Sequence, residues 1–184
     1  MGKNINKLIV VDVEATCWEG DPPKGQKSEI IEIGISQIDL KTLHLFGPPE
    51  NILIKPVCST VSEFCTKLTG LTQQNADGGK SLYDICSYIK NKYKSVHQPW
   101  ASWGDYERNM FDRECPKEHY PFGSRHLNLK SLFSMLFGLP HELGMDKALS
   151  HLNIQLTGEH HRAGDDANNI ARLAIEMFKL GRKS

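Results

Sequence analysis

The chain has 184 residues, 39% hydrophobic and 24% charged, which suits one domain with a substantial core. Its 22 basic and 22 acidic residues cancel to a formal net charge of zero, so it lacks the global basic field that holds duplex nucleic acid non-specifically. No stretch approaches the roughly 18 apolar residues of a membrane span, MGKNINKL has no apolar signal core, and the five cysteines include no C-x-x-C pair, which argues against a zinc site or a disulfide framework and for a cytoplasmic protein with reduced thiols.

Residues 1–6 read as a short tail, 7–181 as a single domain and 182–184 as a second tail. The run Leu8 to Val13 is apolar and mostly β-branched, which predicts a buried first strand over 7–13. A polar, proline-containing loop, EGDPPKGQK, follows at 19–27. EIIEIGISQIDL (29–40) predicts a second strand, and a third is divided by GPPEN (47–51), with NILIKP (51–56) as its second half. Three strands with short connections predict an antiparallel meander.

Helical signals then take over. Ser62 to Leu68 reads as a short helix stopped at Gly70, and Ser81 caps a helix to about Lys94 with Leu82, Ile85, Cys86 and Ile89 on one face. PWASW (99–103) is a short strand running into a helix over 104–115. Further helices are predicted over 127–138 and 142–153, and a last one from about Gly164 to Leu180 buries Ile170, Leu173, Ala174, Met177 and Phe178. The order of elements predicts an α/β fold, a mixed central sheet of about five strands flanked by helices.

Two acids interrupt the first strand in VVDVEATCW. Asp12 and Glu14 stand at i and i+2, so they project from the same face. Side by side they repel, and neither is buried cheaply alone. A cation between them resolves both difficulties; a solvated strand end is the plainer alternative. Asp105, in ASWGDYE, opens the next helix, where an acid can equally serve as a cap. HHRAGDDANN sets His160, His161, Asp165 and Asp166 at the start of the last helix, where capping is again the plainer reading.

In order and spacing, VDVEATCW, SEIIEIG, LTGLT, ASWGDYER and HHRAGDDANNIARLA resemble the motifs of the DEDDh, or DnaQ-like, 3′–5′ exonucleases over nearly the whole chain. The likeness is strongest to the exoribonucleases that trim histone-message stem-loops and small RNAs. It implies an RNase H-like sheet with its first three strands antiparallel. It also implies four carboxylates, Asp12, Glu14, Asp105 and Asp166, around two divalent cations, and His161, five residues before Asp166, as general base. Oxygen-only ligands point to Mg²⁺ or Mn²⁺, and a paired-metal site suits in-line attack of water on a phosphodiester. Asp165 takes a capping or supporting role, His160 reads as a surface histidine, and Glu107, where many relatives carry aspartate, receives no catalytic role.

The same resemblance implies a pocket for a 3′-terminal nucleotide. Trp18 and Leu71 are candidates to sandwich its base, Ala15 and Thr16 to touch the ribose, and Trp103 to line the site, each with core packing as the alternative. Arg108, Lys130 and Arg162 are candidate phosphate contacts or merely solvated charges. The expected partner is nucleic acid with a free 3′ end, RNA favoured, and the product a nucleoside 5′-monophosphate. A DNA exonuclease, a non-catalytic RNA-binding module of the same fold, and an unrelated α/β domain with capping acids stay open.

Overall fold

A computed structural model describes residues 5–182; residues 1–4 and 183–184, within the expected tails, lie outside the described residues. β1 (Lys7–Ala15) runs antiparallel to β2 (Ile30–Asp39), which also pairs antiparallel with β3 (His44–Leu45) and β4 (Glu50–Leu53). The two short strands are the halves of the expected third strand. After α1 (Glu63–Thr69), α2 (Gln73–Asp77) and α3 (Leu82–Tyr93), β5 (Trp100–Ser102) joins β1 in parallel. α4 (Tyr106–Glu114) and β6 (His126–Asn128) follow, β6 lying parallel to β5. α5 (Leu129–Leu136), α6 (Met145–His151) and α7 (Ala163–Leu180) complete the chain.

The mixed α/β sheet and its antiparallel opening follow the sequence expectation, with two corrections. The sheet has six strands, because His126–Asn128 is extended and only Leu129 onward is helical. The boundary falls where the Asn128 side chain accepts a hydrogen bond from the Ser131 N–H at 2.9 Å, which caps α5. The unexpected helix α2 rests on a capping box between Thr72 and Asn75 and buries only Ala76, so no apolar period announces it.

β1 is buried on both faces, and its alternation sorts the core. Ile9, Val11 and Val13 pack with Ile85, Ile89, Trp100 and Phe111, on the side of α3 and α4. Leu8 and Val10 pack with Phe133, Leu149, Ile170 and Leu173, on the side of α5, α6 and α7. Asp12 and Glu14 continue the second series, so the strand delivers both carboxylates to the face that carries α7.

α7 comes unusually close to the sheet. Gly34 makes this possible: a Cβ there would lie 1.8 Å from the Ala163 carbonyl oxygen. The Ala163 N–H donates to Glu32 Oε2 at 2.9 Å, and the Gly164 N–H to Asn51 Oδ1 at 2.7 Å. The Arg162 guanidinium closes on the fully buried Glu32 carboxylate at 2.8 Å. The first turn of α7 is thereby pinned to β2 and β4. Among the described residues, no helix is long and apolar enough to cross a membrane.

Candidate active site

The end of β1, the first turn of α4 and the loop entering α7 meet in a pocket of about 250 Å³. Asp12, Glu14, Glu107, His160, His161 and Asp166 supply its polar lining, and Trp103, Tyr106 and Met145 stand among its walls. Carboxylate oxygens of Asp12, Glu14 and Asp166 lie within 4.8 Å of one another. Asp166 is buried and held in place by the His161 N–H, which donates to its Oδ2 at 2.8 Å.

This crowd of acids is short of positive charge. Burial pushes the Asp12 carboxyl well above the usual range, and Glu107, Glu14, Asp166 and Glu32 add to the rise. Glu14 is pushed up to about 8 by burial first, then by Asp166, Glu32 and Glu107. Burial also raises Glu107. Arg162 lowers Glu14 only slightly against these, because its guanidinium is committed to Glu32. Glu107 Oε2 is buried with no hydrogen-bond partner, an arrangement native proteins avoid unless something else binds there. Asp12, Glu14 and Asp166, with Glu107 on the same pocket wall, offer hard carboxylate oxygens, which fit a divalent cation that prefers oxygen ligands.

Asp105 is not one of this group. Its Oδ2 accepts from Asn128 Nδ2 at 2.9 Å, and its Oδ1 lies 3.2 Å from Arg108 and 3.9 Å from His126 Nδ1. His126 Nε2 in turn lies 2.7 Å from Ser102 Oγ, so Asp105 ties together the ends of β5 and β6. The physical reason is helical geometry. Asp105 precedes the first residue of α4 and turns toward β6, whereas Glu107, two positions later, turns toward β1. Glu107 thus stands where Asp105 was expected. The signal available in the sequence was a second acid, Glu107, two residues beyond Asp105 at the start of the same helix.

Of the two histidines, His161 lines the pocket and His160 departs from expectation. His161 adopts a left-handed backbone, φ 68°, and its ring stacks on that of His160 with centroids 4.0 Å apart. Burial, then the neighbouring His160, lower the His161 imidazole below its ordinary 6.5. His160 is no mere surface residue: its Nδ1 lies 3.1 Å from Asp166 Oδ2. Asp165 accepts from the Glu159 N–H at 2.9 Å and fixes the loop ahead of α7.

The expected nucleotide contacts divide. Trp103 lines the pocket, its indole N–H donating to the Leu143 carbonyl. Tyr106, half exposed, is a pocket residue the sequence did not single out. Leu71 is 3% exposed and packs with Ile31, Cys65 and Ala76, so it has almost no surface left to offer a base. Thr16 is fully buried, and its hydroxyl is engaged by the Lys27 carbonyl and the Glu29 N–H. Ala15 is buried at the end of β1, and Trp18, half-buried, is not among the residues lining this pocket. Arg108 and Lys130 pair with Asp105 and Glu142.

Residues 9–174 match a family model described as Exonuclease. The Homo sapiens protein named 3′-5′ exoribonuclease 1 is 26% identical over 185 residues, covering 95% of this chain and 53% of the human protein. The Drosophila melanogaster 3′-5′ exonuclease Snipper is 23% identical, covering 95% of this chain and 70% of the fly protein. This chain thus spans about half the length of its human relative. Among solved structures, the nuclease domain of 3′hExo, described as a DEDDh family member bound to rAMP, superposes with a TM-score of 0.86. That match is 23% identical and covers 96% of this chain and 94% of the other. The likeness is one of fold, and the fold is the RNase H-like α/β arrangement.

Proposed function

This chain belongs to the exonuclease family, and from that premise we propose that it is a divalent-metal-dependent 3′–5′ exoribonuclease releasing nucleoside 5′-monophosphates from single-stranded or overhanging 3′ ends. The observation that carries the reading is the convergence of Asp12, Glu14, Glu107 and Asp166 on one pocket with His161 at its mouth. A binding module alone has no use for four mutually repelling carboxylates beside a histidine. The proposed unit is the single domain of residues 7–181, and its cysteines, free throughout, suit a reducing cytoplasm.

In this reading Asp12, Glu14, Glu107 and Asp166 would hold two divalent cations, Mg²⁺ or Mn²⁺. When bound, such a pair activates a water and offsets charge on the leaving 3′ oxygen. The four carboxylates set where the scissile phosphate sits. His161, whose burial favours the neutral imidazole, takes the water's proton on a ring nitrogen. Asp166 holds the His161 backbone N–H, so the base and the carboxylate stay in fixed register. Tyr106 and Trp103 give the terminal nucleotide flat walls to lie against. Phosphate contact would come through the cations that the acids hold, which suits a chain with no net charge.

The test uses a 5′-labelled single-stranded RNA and its DNA counterpart in Mn²⁺, with and without EDTA. A ladder shortening from the 3′ end, faster on RNA and abolished by EDTA, is the expected result. Equal or faster shortening of DNA moves the proposal to a DNA exonuclease. RNA retarded on a native gel but never shortened replaces it with a binding module.

A further inference from the structure

The reaction above uses one of two adjacent histidines. His160 is left over, yet it faces the same carboxylate: its Nδ1 lies 3.1 and 3.2 Å from the two oxygens of Asp166. Its ring lies nearly parallel to that of His161, 23° apart at a centroid distance of 4.0 Å. One ligand atom each from His160, His161 and Asp166 falls within 4.8 Å of the others. A tetrahedral Zn²⁺ with bonds of about 2.0–2.1 Å sets its ligands roughly 3.3 Å apart. The three groups, no more than 4.8 Å apart, therefore need to close by up to about 1.5 Å, and His160, 39% exposed, has room to shift its ring.

The donor set differs in kind from the four-carboxylate cage. Two imidazole nitrogens and one carboxylate oxygen favour borderline ions, and at such a site the Irving–Williams order ranks Zn²⁺ and Cu²⁺ above Mn²⁺. Asp12 and Glu14 line the same pocket, and a cation entering it favours their ionised forms. Asp166 belongs to both sets and His161 is the base of the proposed reaction, so the cage cannot be complete and its base free while the nitrogen-rich set is filled.

We propose that His160, His161 and Asp166 form a nitrogen-rich site for a Zn²⁺-class ion which overlaps the catalytic cage and silences it when filled. Filling withdraws the imidazole that accepts the proton and the carboxylate that completes the cage. Inhibition is then competitive with Mn²⁺ and reversed by a zinc-selective chelator. The silencing rests on the exonuclease reading, whereas the metal site itself does not.

The experiment titrates the metal-free full chain with Zn²⁺ and with Mn²⁺ by calorimetry, and with Co²⁺ as an absorbing substitute for Zn²⁺. Wild type, His160→Ala and His161→Ala are compared. A site of one Zn²⁺ per chain is expected, with a tetrahedral Co²⁺ absorption band. In both variants the ratio of Zn²⁺ to Mn²⁺ affinity falls at least tenfold and the band is lost. Unchanged Zn²⁺ preference in His160→Ala overturns the proposal, since the ion then sits in the carboxylate cage. Absence of Zn²⁺ binding overturns it too. These readouts need no substrate, so they test the metal site whether or not the chain degrades RNA.

Discussion

Replacing Glu107 by glutamine keeps its length and removes its charge, so the cage loses one of four carboxylates while the packing around the pocket stays. Loss of one such electrostatic partner in a preorganised site costs about 10²–10³ in rate, and Glu107→Gln is expected to fall in that range. Asp105→Asn is expected to stay within about threefold of wild type, since its contacts to Arg108 and Asn128 are partly exposed and exposed pairs contribute about 0–1 kcal/mol. His161 gives a second handle. Its imidazole is lowered from 6.5 by burial, and nearby cations lower it further. The acidic limb of the kcat/KM profile is therefore expected to have its midpoint below 6.5, read from rates across about pH 5 to 8. A midpoint above 6.5 contradicts the assignment of His161 as base. At this scale the shared face of Asp12 and Glu14 was legible from strand alternation, whereas their meeting with His161 and Asp166 in one pocket was suggested only by the family resemblance. Asp105 misled because it and Glu107 straddle the start of a helix, and one residue of uncertainty there decides which side chain turns toward β1. His160 misled because a loop with a left-handed residue has no period to read.

The docking of α7 against β2 and β4 sets the site, since the Asp166 carboxylate rides on its first turn and both histidines sit in the loop just ahead of it. Gly34→Ala brings a Cβ against the Ala163 carbonyl, backbone against backbone, with no flexible side chain to yield. Overpacking of this kind costs about 1–3 kcal/mol, and the helix must move away from Asp12 and Glu14 to relieve it. Gly34→Ala is therefore expected to lower the thermal midpoint and weaken Mn²⁺ binding together, both measurable on the purified chain. A lower midpoint with unchanged Mn²⁺ affinity contradicts that coupling. Glu32→Ala strands the Arg162 guanidinium, and removing one partner of a buried pair costs about 3–5 kcal/mol, somewhat less here because Arg162 is 30% exposed. The long elements were legible from period alone: β1 from its β-branched run, α3 from Ile85, Cys86 and Ile89, and α7 from Ile170, Leu173 and Ala174. β6 and α2 were not, because three extended residues and a five-residue helix with Ala76 as its one apolar side chain carry too little apolar pattern. The Glu32–Arg162 pair joins residues far apart in the chain, and nothing local marks either partner for the other.

At the scale of the whole molecule, the acid cluster couples folding to pH and metal. Asp12, Glu14 and Glu107 have folded-state values above their unfolded ones, so the folded chain holds protons that the unfolded chain has released. Their contribution is present at low pH and lost as pH rises; for Glu14 the window runs from 4.5 to about 8. Carboxyls with lowered values, such as Glu29 and Glu50, titrate below that window and leave its slope alone. In EDTA the thermal midpoint is expected to fall between about pH 6.5 and 8, above the range where the lowered His126 and His161 imidazoles add stability as pH rises, and Mn²⁺ is expected to remove most of that fall, because bound cations compensate the charge. A midpoint that is flat in EDTA contradicts the strained-acid picture.

The most direct measurement runs wild type, Glu107→Gln and Asp105→Asn side by side on 5′-labelled RNA in Mn²⁺, with Mn²⁺ binding measured on the same three preparations. Wild type and Asp105→Asn are expected to shorten the RNA from its 3′ end and Glu107→Gln to do almost nothing, with Mn²⁺ binding weakened in Glu107→Gln alone. An active Glu107→Gln beside a dead Asp105→Asn would contradict the cage of Asp12, Glu14, Glu107 and Asp166 and return Asp105 to its centre.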